Sequence, residues 1–276
     1  MKLMNLVFLC TLLWSCQTEV KEEAKVEDTA ESTPEVAKVV FQNKGHELVY
    51  NMVQTVGDYE KFKELKDVTY KYTYNTPDGK VDIAMESYIF DGELSYGSYI
   101  KHERTFPALE GKIEQGFDGA SFWFKHNGEI LDGEEYQKRT RFSRKTNFYW
   151  FAMLPKLLDP GLNYEYIKEE ILEGQSYDIV KVSFESKEGK PTDIYQLYIN
   201  KETKLVDQFL FTVAEFNSMN PRLMKVAYEK IGDVLIPNTR KYTNSDWNGV
   251  PVNDEWNVVE WTEIKFDNGL TKELFQ

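Results

Sequence analysis

Phe148-Tyr149-Trp150-Phe151-Ala152-Met153-Leu154-Pro155-Lys156-Leu157-Leu158-Asp159-Pro160-Gly161 is an apolar run near the midpoint of the chain. Tyr, Trp and Lys aside, it carries no polar residue before Asp159. Phe148, Phe151, Ala152 and Leu154 or Pro155 fall at helical spacing, Pro155 lacks a backbone donor, and Asp159-Pro160-Gly161 is a stop signal. The expectation is a short buried helix, interrupted at Pro155, set between two blocks of alternating sequence. Leaving such a segment wet forfeits roughly 1.5–3 kcal/mol for each large side chain that could be buried. It therefore faces a core, a lipid-like ligand or a partner, and which of the three decides the function.

Outward from that run the pattern changes to period two. Residues 68–74 alternate strictly, with Val68, Tyr70, Tyr72 and Tyr74 on one face and Thr69, Lys71 and Thr73 on the other, the mark of a strand covered on one side. Asp78-Gly79, Asp91-Gly92, Asp118-Gly119 and Asn127-Gly128 each sit between alternating apolar segments, which makes them strong hairpin signals. After the central run, segments 170–172, 177–185, 194–200, 205–213, 223–231, 239–244 and 254–266 read as strands, with turns at Glu188-Gly189, 200–204, Gly232-Asp233, Asn248-Gly249 and Asn268-Gly269. Pro237 suits a strand start or an edge. About ten to twelve antiparallel strands are expected, and a sheet of that size curls to hide its edges, giving a half-open barrel. Upstream, residues 42–65 read as a first helix whose stripe, Leu48, Val49, Met52, Val53, Val56, Phe62 and Leu65, is interrupted near Gly57-Asp58.

Just before the central run, Lys138, Arg139, Arg141, Arg144 and Lys145 form a basic cluster. It reads as a solvated helix face or loop, or as a holder for a lipid phosphate or a carboxylate. The chain as a whole carries a net charge of −13, which argues against nucleic acid and against docking on anionic lipid through the protein surface.

At the N-terminus, Lys2, the apolar run 6–14 and Ser15-Cys16 have the order of a secretory signal, residues 1–15. The run is shorter than the roughly 20 residues a membrane span needs. Leu13-Trp14-Ser15-Cys16 resembles the lipobox of bacterial lipoproteins, with Cys16 as the lipid-modified residue; an ordinary signal with an incidental cysteine is the alternative. Cys10 falls in the removed part, so Cys16 would be the one thiol left. Residues 16–41, rich in Glu and without an aromatic before Phe41, are expected to be a solvated tether, and 42–276 a single domain. Lys21-Glu22-Glu23 resembles the signal that sends Bacteroidetes lipoproteins to the outer face of the outer membrane; a plain spacer fits equally.

No G-x-S-x-G, H-E-x-x-H, Walker A or G-x-G-x-x-G pattern occurs. Acid pairs such as Glu134-Glu135 and Glu169-Glu170 would point to opposite faces of a strand, and His46-Glu47 and His102-Glu103 have no further support as dyads. Three histidines and no cysteine in the folded part supply soft-metal and thiol chemistry poorly. The reading is therefore of a protein that is not an enzyme and uses no cofactor. Trp247, Trp256 and Trp261 read as packing residues or as a sugar-stacking platform.

The layout of signal, lipobox, first helix, meander, central helix and second meander containing Ile199-Asn200-Lys201-Glu202-Thr203-Lys204-Leu205-Val206 resembles the lipoprotein-localisation (LolA-like) superfamily of carriers over most of residues 42–270. His46, Gly116-Phe117-Asp118-Gly119 with Trp123, and Met153-Leu154-Pro155 with Leu158-Asp159-Pro160-Gly161 also resemble an exported Bacteroidetes lipoprotein family of that fold. The resemblance implies an incomplete antiparallel barrel closed by helices over a hydrophobic cavity that takes acyl chains. That cavity is expected between the sheet and the two helices. Its lining would be Val49, Met52, Val53, Tyr70, Tyr72, Phe148, Trp150, Phe151, Met153, Leu154, Leu157 and Leu158. The function implied is a non-enzymatic, outer-membrane-anchored binder or carrier of lipid or acylated protein, monomeric and on either face of that membrane. A structural or interaction lipoprotein with a filled core is the alternative.

Overall fold

The computed structural model describes residues 39–276, apart from 187, 188 and 217. The expected signal, Cys16 and the tether up to residue 38 lie outside the described residues, as does residue 188 of one expected turn. The first strand, β1 (Asp67–Asn75), buries Val68, Tyr70, Tyr72 and Tyr74 on one face, as its alternation predicts. Asp78-Gly79 turns it into β2 (Val81–Ile89), and β3 (Leu94–His102), β4 (Ile113–Phe117), β5 (Phe122–His126) and the two-residue β6 (Glu129–Ile130) continue the meander. Gly116 lies where an added Cβ would stand 2.1 Å from the Trp123 ring, so this β4–β5 hairpin depends on a missing side chain.

A second meander follows the central helix: β7 (Leu162–Leu172), β8 (Gln175–Phe184), β9 (Ile194–Asn200), β10 (Val206–Val213), β11 (Ser218–Ile231), β12 (Val234–Asn244) and β13 (Asn257–Phe266). The two halves join where β1 pairs antiparallel with β13, for example Tyr72 with Trp261. The result is one thirteen-stranded antiparallel sheet among the described residues, running β6-β5-β4-β3-β2-β1-β13-β12-β11-β10-β9-β8-β7. Its edges, β6 and β7, do not pair, so the barrel is open as expected. Register shifts in β1, β10, β11 and β7 supply the local bends that curl so wide a sheet. Pro237 stands inside β12, between β11 and β13, not at an edge. It is tolerated because the β11–β12 register shifts across Ala227 and Glu229 there, and β12 pairs with β13 only from Thr239 onward.

Two corrections concern the helices. The first helical segment is two helices, α1 (Lys44–Gly57) and α2 (Tyr59–Glu64). Gly57 at φ 121° and Asp58 at φ 24° break the chain between them, and Asp58 then caps α2 by accepting from the Glu60 amide. The central helix, α3 (Glu134–Lys156), is 23 residues long rather than short, about 35 Å at the usual rise. Pro155 does not interrupt it, because it falls in the last turn, where only one interior hydrogen bond is forgone. The basic cluster is part of this helix, and Arg144 within it is fully buried rather than solvated. Because α3 connects β6 to β7, it carries the chain from one open edge of the sheet to the other.

Among the described residues there are three buried apolar clusters, the smallest being Tyr177, Ile179, Tyr198, Leu210 and Leu223 on β8–β11, and the two larger ones frame the interior. One packs α1, through Val49, Met52, Val53 and Val56, with Met153, Leu154 and Leu157 against β7–β10. The other gathers the β1 tyrosines, Phe124, Phe148, Phe151 and Trp261. Trp150 and Tyr242 touch both.

Candidate functional site

Where the two clusters part, a cavity of about 780 Å³ opens between α3 and the sheet. Its wall takes Tyr70, Tyr72 and Tyr74 from β1, Tyr195 from β9, Phe211 from β10, Tyr242 from β12, Trp261 from β13, and Phe148, Tyr149 and Trp150 from α3. The strands place these residues by their two-residue period. Cross-strand partners share a face, so Tyr72 and its partner Trp261 both turn inward. Ring packing then holds them: Trp150 meets Phe211 edge-on at 5.1 Å and lies stacked on Phe209 at 5.9 Å, while Tyr70 stacks on Phe151 at 5.1 Å.

Of the residues the sequence reading assigned to the lining, Tyr70, Tyr72, Phe148 and Trp150 are on this wall. Val49, Met52, Val53 and Leu157 are packed in the α1 cluster, and Leu158 sits half-buried at its margin. Met153 and Leu154 border only a void of about 10 Å³ on the other side of Arg240, and Phe151 is enclosed by aromatic rings. The cavity thus lies under the middle of α3, not beneath α1. The reason is that α1 fits its stripe against β7 and β8 closely enough to leave no space there.

Periodicity also did not reveal the charge inside. Strand β2 turns Asp82, Ala84, Glu86 and Tyr88 into the buried face and leaves Ile83 and Met85 half-covered, the reverse of a hydrophobic alternation. Asp82 accepts from the Arg104 and Thr105 amides and from the Thr105 hydroxyl, and its Oδ2 lies 3.4 Å from Arg104 Nε. Arg144 of α3 donates to Glu86 through Nη1 at 2.7 Å and Nη2 at 2.9 Å, with both side chains fully enclosed. Tyr88 and Asn147 also donate to Glu86. Burial alone would depress the Arg144 guanidinium, but the Glu86 carboxylate outweighs it and holds it further toward its charged form. Gly97 makes room for the pair, since a Cβ there would lie 2.6 Å from Arg144 Nη1. The hairpin register carried a signal for this: Asp78-Gly79 pairs Tyr70 with Glu86, so an inward Tyr70 requires an inward Glu86.

Arg240 of β12 also lies on the wall. Its Nε donates to the Pro237 carbonyl at 3.0 Å and its Nη2 to the Trp150 carbonyl at 2.6 Å, and its guanidinium lies 3.9 Å from the centre of the Trp261 ring. Burial pulls it down to about 9 from its ordinary value. In all, seven basic residues border the cavity against three acids, Glu93, Asp193 and Glu215, in a chain whose net charge is −13. Burial also raises the Asp193 carboxyl. Trp261 is a core residue, whereas Trp247 is exposed on the loop after β12. Among the described residues, no group of three or more His, Cys, Asp or Glu side chains is placed to hold a metal ion, and no helix is long and apolar enough to cross a membrane. The arrangement has the chemistry of a binding cavity: aromatic walls with a few fixed charges.

No family profile matches the chain, and no curated protein matches it by sequence. Solved structures do resemble it. A structure described as an outer membrane lipoprotein-sorting protein domain from Vibrio parahaemolyticus is 11% identical with a TM-score of 0.50, over 84% of this chain and 96% of that one. A DUF1329 family protein from Desulfovibrio piger is 16% identical with a TM-score of 0.51, over 84% of this chain and 95% of that one. A LolA superfamily protein from Nitrosomonas europaea is 11% identical with a TM-score of 0.47, over 82% and 97%. At these identities the likeness of the first two is one of fold, and the chain itself is an open antiparallel barrel.

Proposed function

We propose that this protein binds or carries a hydrophobic ligand, a lipid or the acyl chain of a lipoprotein, in the cell envelope, and that it catalyses no reaction. The observation that carries this reading is the aromatic-walled cavity of about 780 Å³ beneath α3. Pockets that bury most of a small ligand run from about 300 to 1,000 Å³. A core meant only for stability is packed to crystal-like density, and a void of this size sacrifices contacts that such a core would keep. The same point weighs against a structural lipoprotein with a filled barrel. Helix α3 covers the cavity and ends in the apolar turn that anchors it to the α1 cluster, so it serves as the lid. Cys16 would tether the domain to the outer membrane by its lipid, with residues 17–41 as the spacer.

Native mass spectrometry of the protein isolated from envelopes under gentle conditions tests the reading. A bound species of lipid mass, released by organic extraction and taken up again by the emptied protein, is the expected result. A protein that emerges empty and takes up no amphiphile overturns it.

A further inference from the structure

Of the five arginines that border the cavity, two have acids within ion-pair distance, Arg139 and Arg222 are partly exposed, and one is neither paired nor exposed. Arg144 has Glu86, and Arg104 has Asp82. Arg240 has none among the described residues: its bonds go to two carbonyls, and Nη1 is neither hydrogen-bonded nor sealed in. It is 96% covered all the same, between the rings of Trp261 and Trp150. A guanidinium keeps its proton at neutral pH, and taking its charge out of water is costly unless an anion completes it. Arg144 and Arg104 come with their carboxylates, and Arg139 and Arg222 are half-exposed to water; Arg240 is fixed in direction by two carbonyls and a ring, yet is covered without a counter-charge, and it borders the cavity.

We infer that Arg240 is the head-group anchor of the ligand, and that the ligand is a single-chain amphiphile ending in a carboxylate. The inference rests on the cavity being a hydrophobic binding site. The carboxylate would accept from the free Nη1, while its aliphatic chain lies against Tyr72, Phe211, Tyr242 and Val259. A carboxylate fits better than a phosphate because the free Nη1 offers a single guanidinium, Arg144 and Arg104 being paired with Glu86 and Asp82 and the remaining arginines, Arg139 and Arg222, being half-exposed to water. One guanidinium offsets one negative charge, whereas a phosphate would bring about −1.5 to −2.

The test is calorimetric titration of the emptied full chain with hexadecanoate, hexadecanol and hexadecyl phosphate, on wild type, Arg240→Met and Arg240→Lys. Wild type is expected to bind hexadecanoate at least about tenfold more tightly than hexadecanol, the usual advantage of a charge-assisted bond in a dry site. Arg240→Met should collapse that ratio toward one, and Arg240→Lys should keep part of it. Equal affinities for acid and alcohol in wild type would overturn the inference while leaving a hydrophobic cavity in place, and this comparison needs no variant to fold. An unchanged ratio in Arg240→Met, or preference for the phosphate, would also overturn it. Binding of none of the three would overturn the cavity reading itself, and the two failures are thereby told apart.

Discussion

Replacing Arg144 by Met removes one half of an enclosed ion pair and leaves the other half in place. Glu86 has four donors: the two Arg144 nitrogens at 2.7 and 2.9 Å, the Tyr88 hydroxyl at 2.8 Å and the Asn147 amide at 3.1 Å. The substitution keeps the two neutral donors and deletes both charged ones. Breaking a buried pair from one side costs about 3–5 kcal/mol, because a carboxylate is stranded in a dry site. For a domain of this size that corresponds to a fall in Tm of roughly 6–20 °C. The double variant Glu86→Leu with Arg144→Met strands no charge, leaving only the neutral Tyr88 hydroxyl and Asn147 amide without this acceptor, so it should recover more than half of the loss. Urea unfolding followed by circular dichroism reads both. If Arg144→Met costs under about 1 kcal/mol, or the double variant loses the sum of the two singles, the pair is not the dry clamp between α3 and β2 described above.

Three further outcomes follow from particular contacts. Gly116→Ala should cost about 1–3 kcal/mol, since its Cβ would meet a Trp123 ring that the Phe275 carbonyl holds by a 2.6 Å bond from Nε1; an unchanged urea midpoint would show that the ring yields freely. Asn43→Ala should cost about 1 kcal/mol, because Asn43 both caps α1 at the His46 amide and donates to the Tyr164 carbonyl; the loss should be larger than for Asp58→Ala, the cap of the six-residue α2, on the same assay. Burial pushes the phenols of Tyr70, Tyr72, Tyr88 and Tyr195 above their ordinary 10.0, so the folded chain holds protons that the unfolded chain releases. The stability they contribute is complete below pH 10.0 and is lost as the pH rises past it, so phenolate absorbance and loss of circular dichroism should climb together; phenols that all titrate at the ordinary value with the fold intact would contradict this.

The hairpins were legible because their turns are chemically specific: Gly79, Gly119 and Gly128 take φ of 81°, 98° and 87°, which few other residues tolerate. The inward face of β1 was legible for a similar reason, since four large apolar side chains at period two leave one burial pattern open. The length of α3 was not. Its buried face begins with Thr140, Ser143 and Arg144 and becomes apolar only at Phe148, so a hydrophobic stripe starts half-way along the helix. The position of the cavity was hidden too, because burial pattern says which residues turn inward but not whether two packed clusters meet. Val49 and Tyr72 are equally inward by period, and only one of them borders space. Arg240 was hidden by its strand: between Thr239 and Lys241 it reads as one more polar residue, and only the register with Val226 and Val259 turns it inward.

Uptake of a neutral lipophilic fluorophore separates the cavity from every charge effect. N-phenyl-1-naphthylamine titrated into the emptied protein should brighten to saturation with one site per chain. Val213→Trp, which extends a half-buried wall residue into the space, should weaken that uptake about tenfold or more while the unfolding free energy from urea titration stays within about 1 kcal/mol of wild type. No saturable uptake by wild type, or equal uptake by wild type and Val213→Trp, would mean that the space beneath α3 does not receive an apolar ligand.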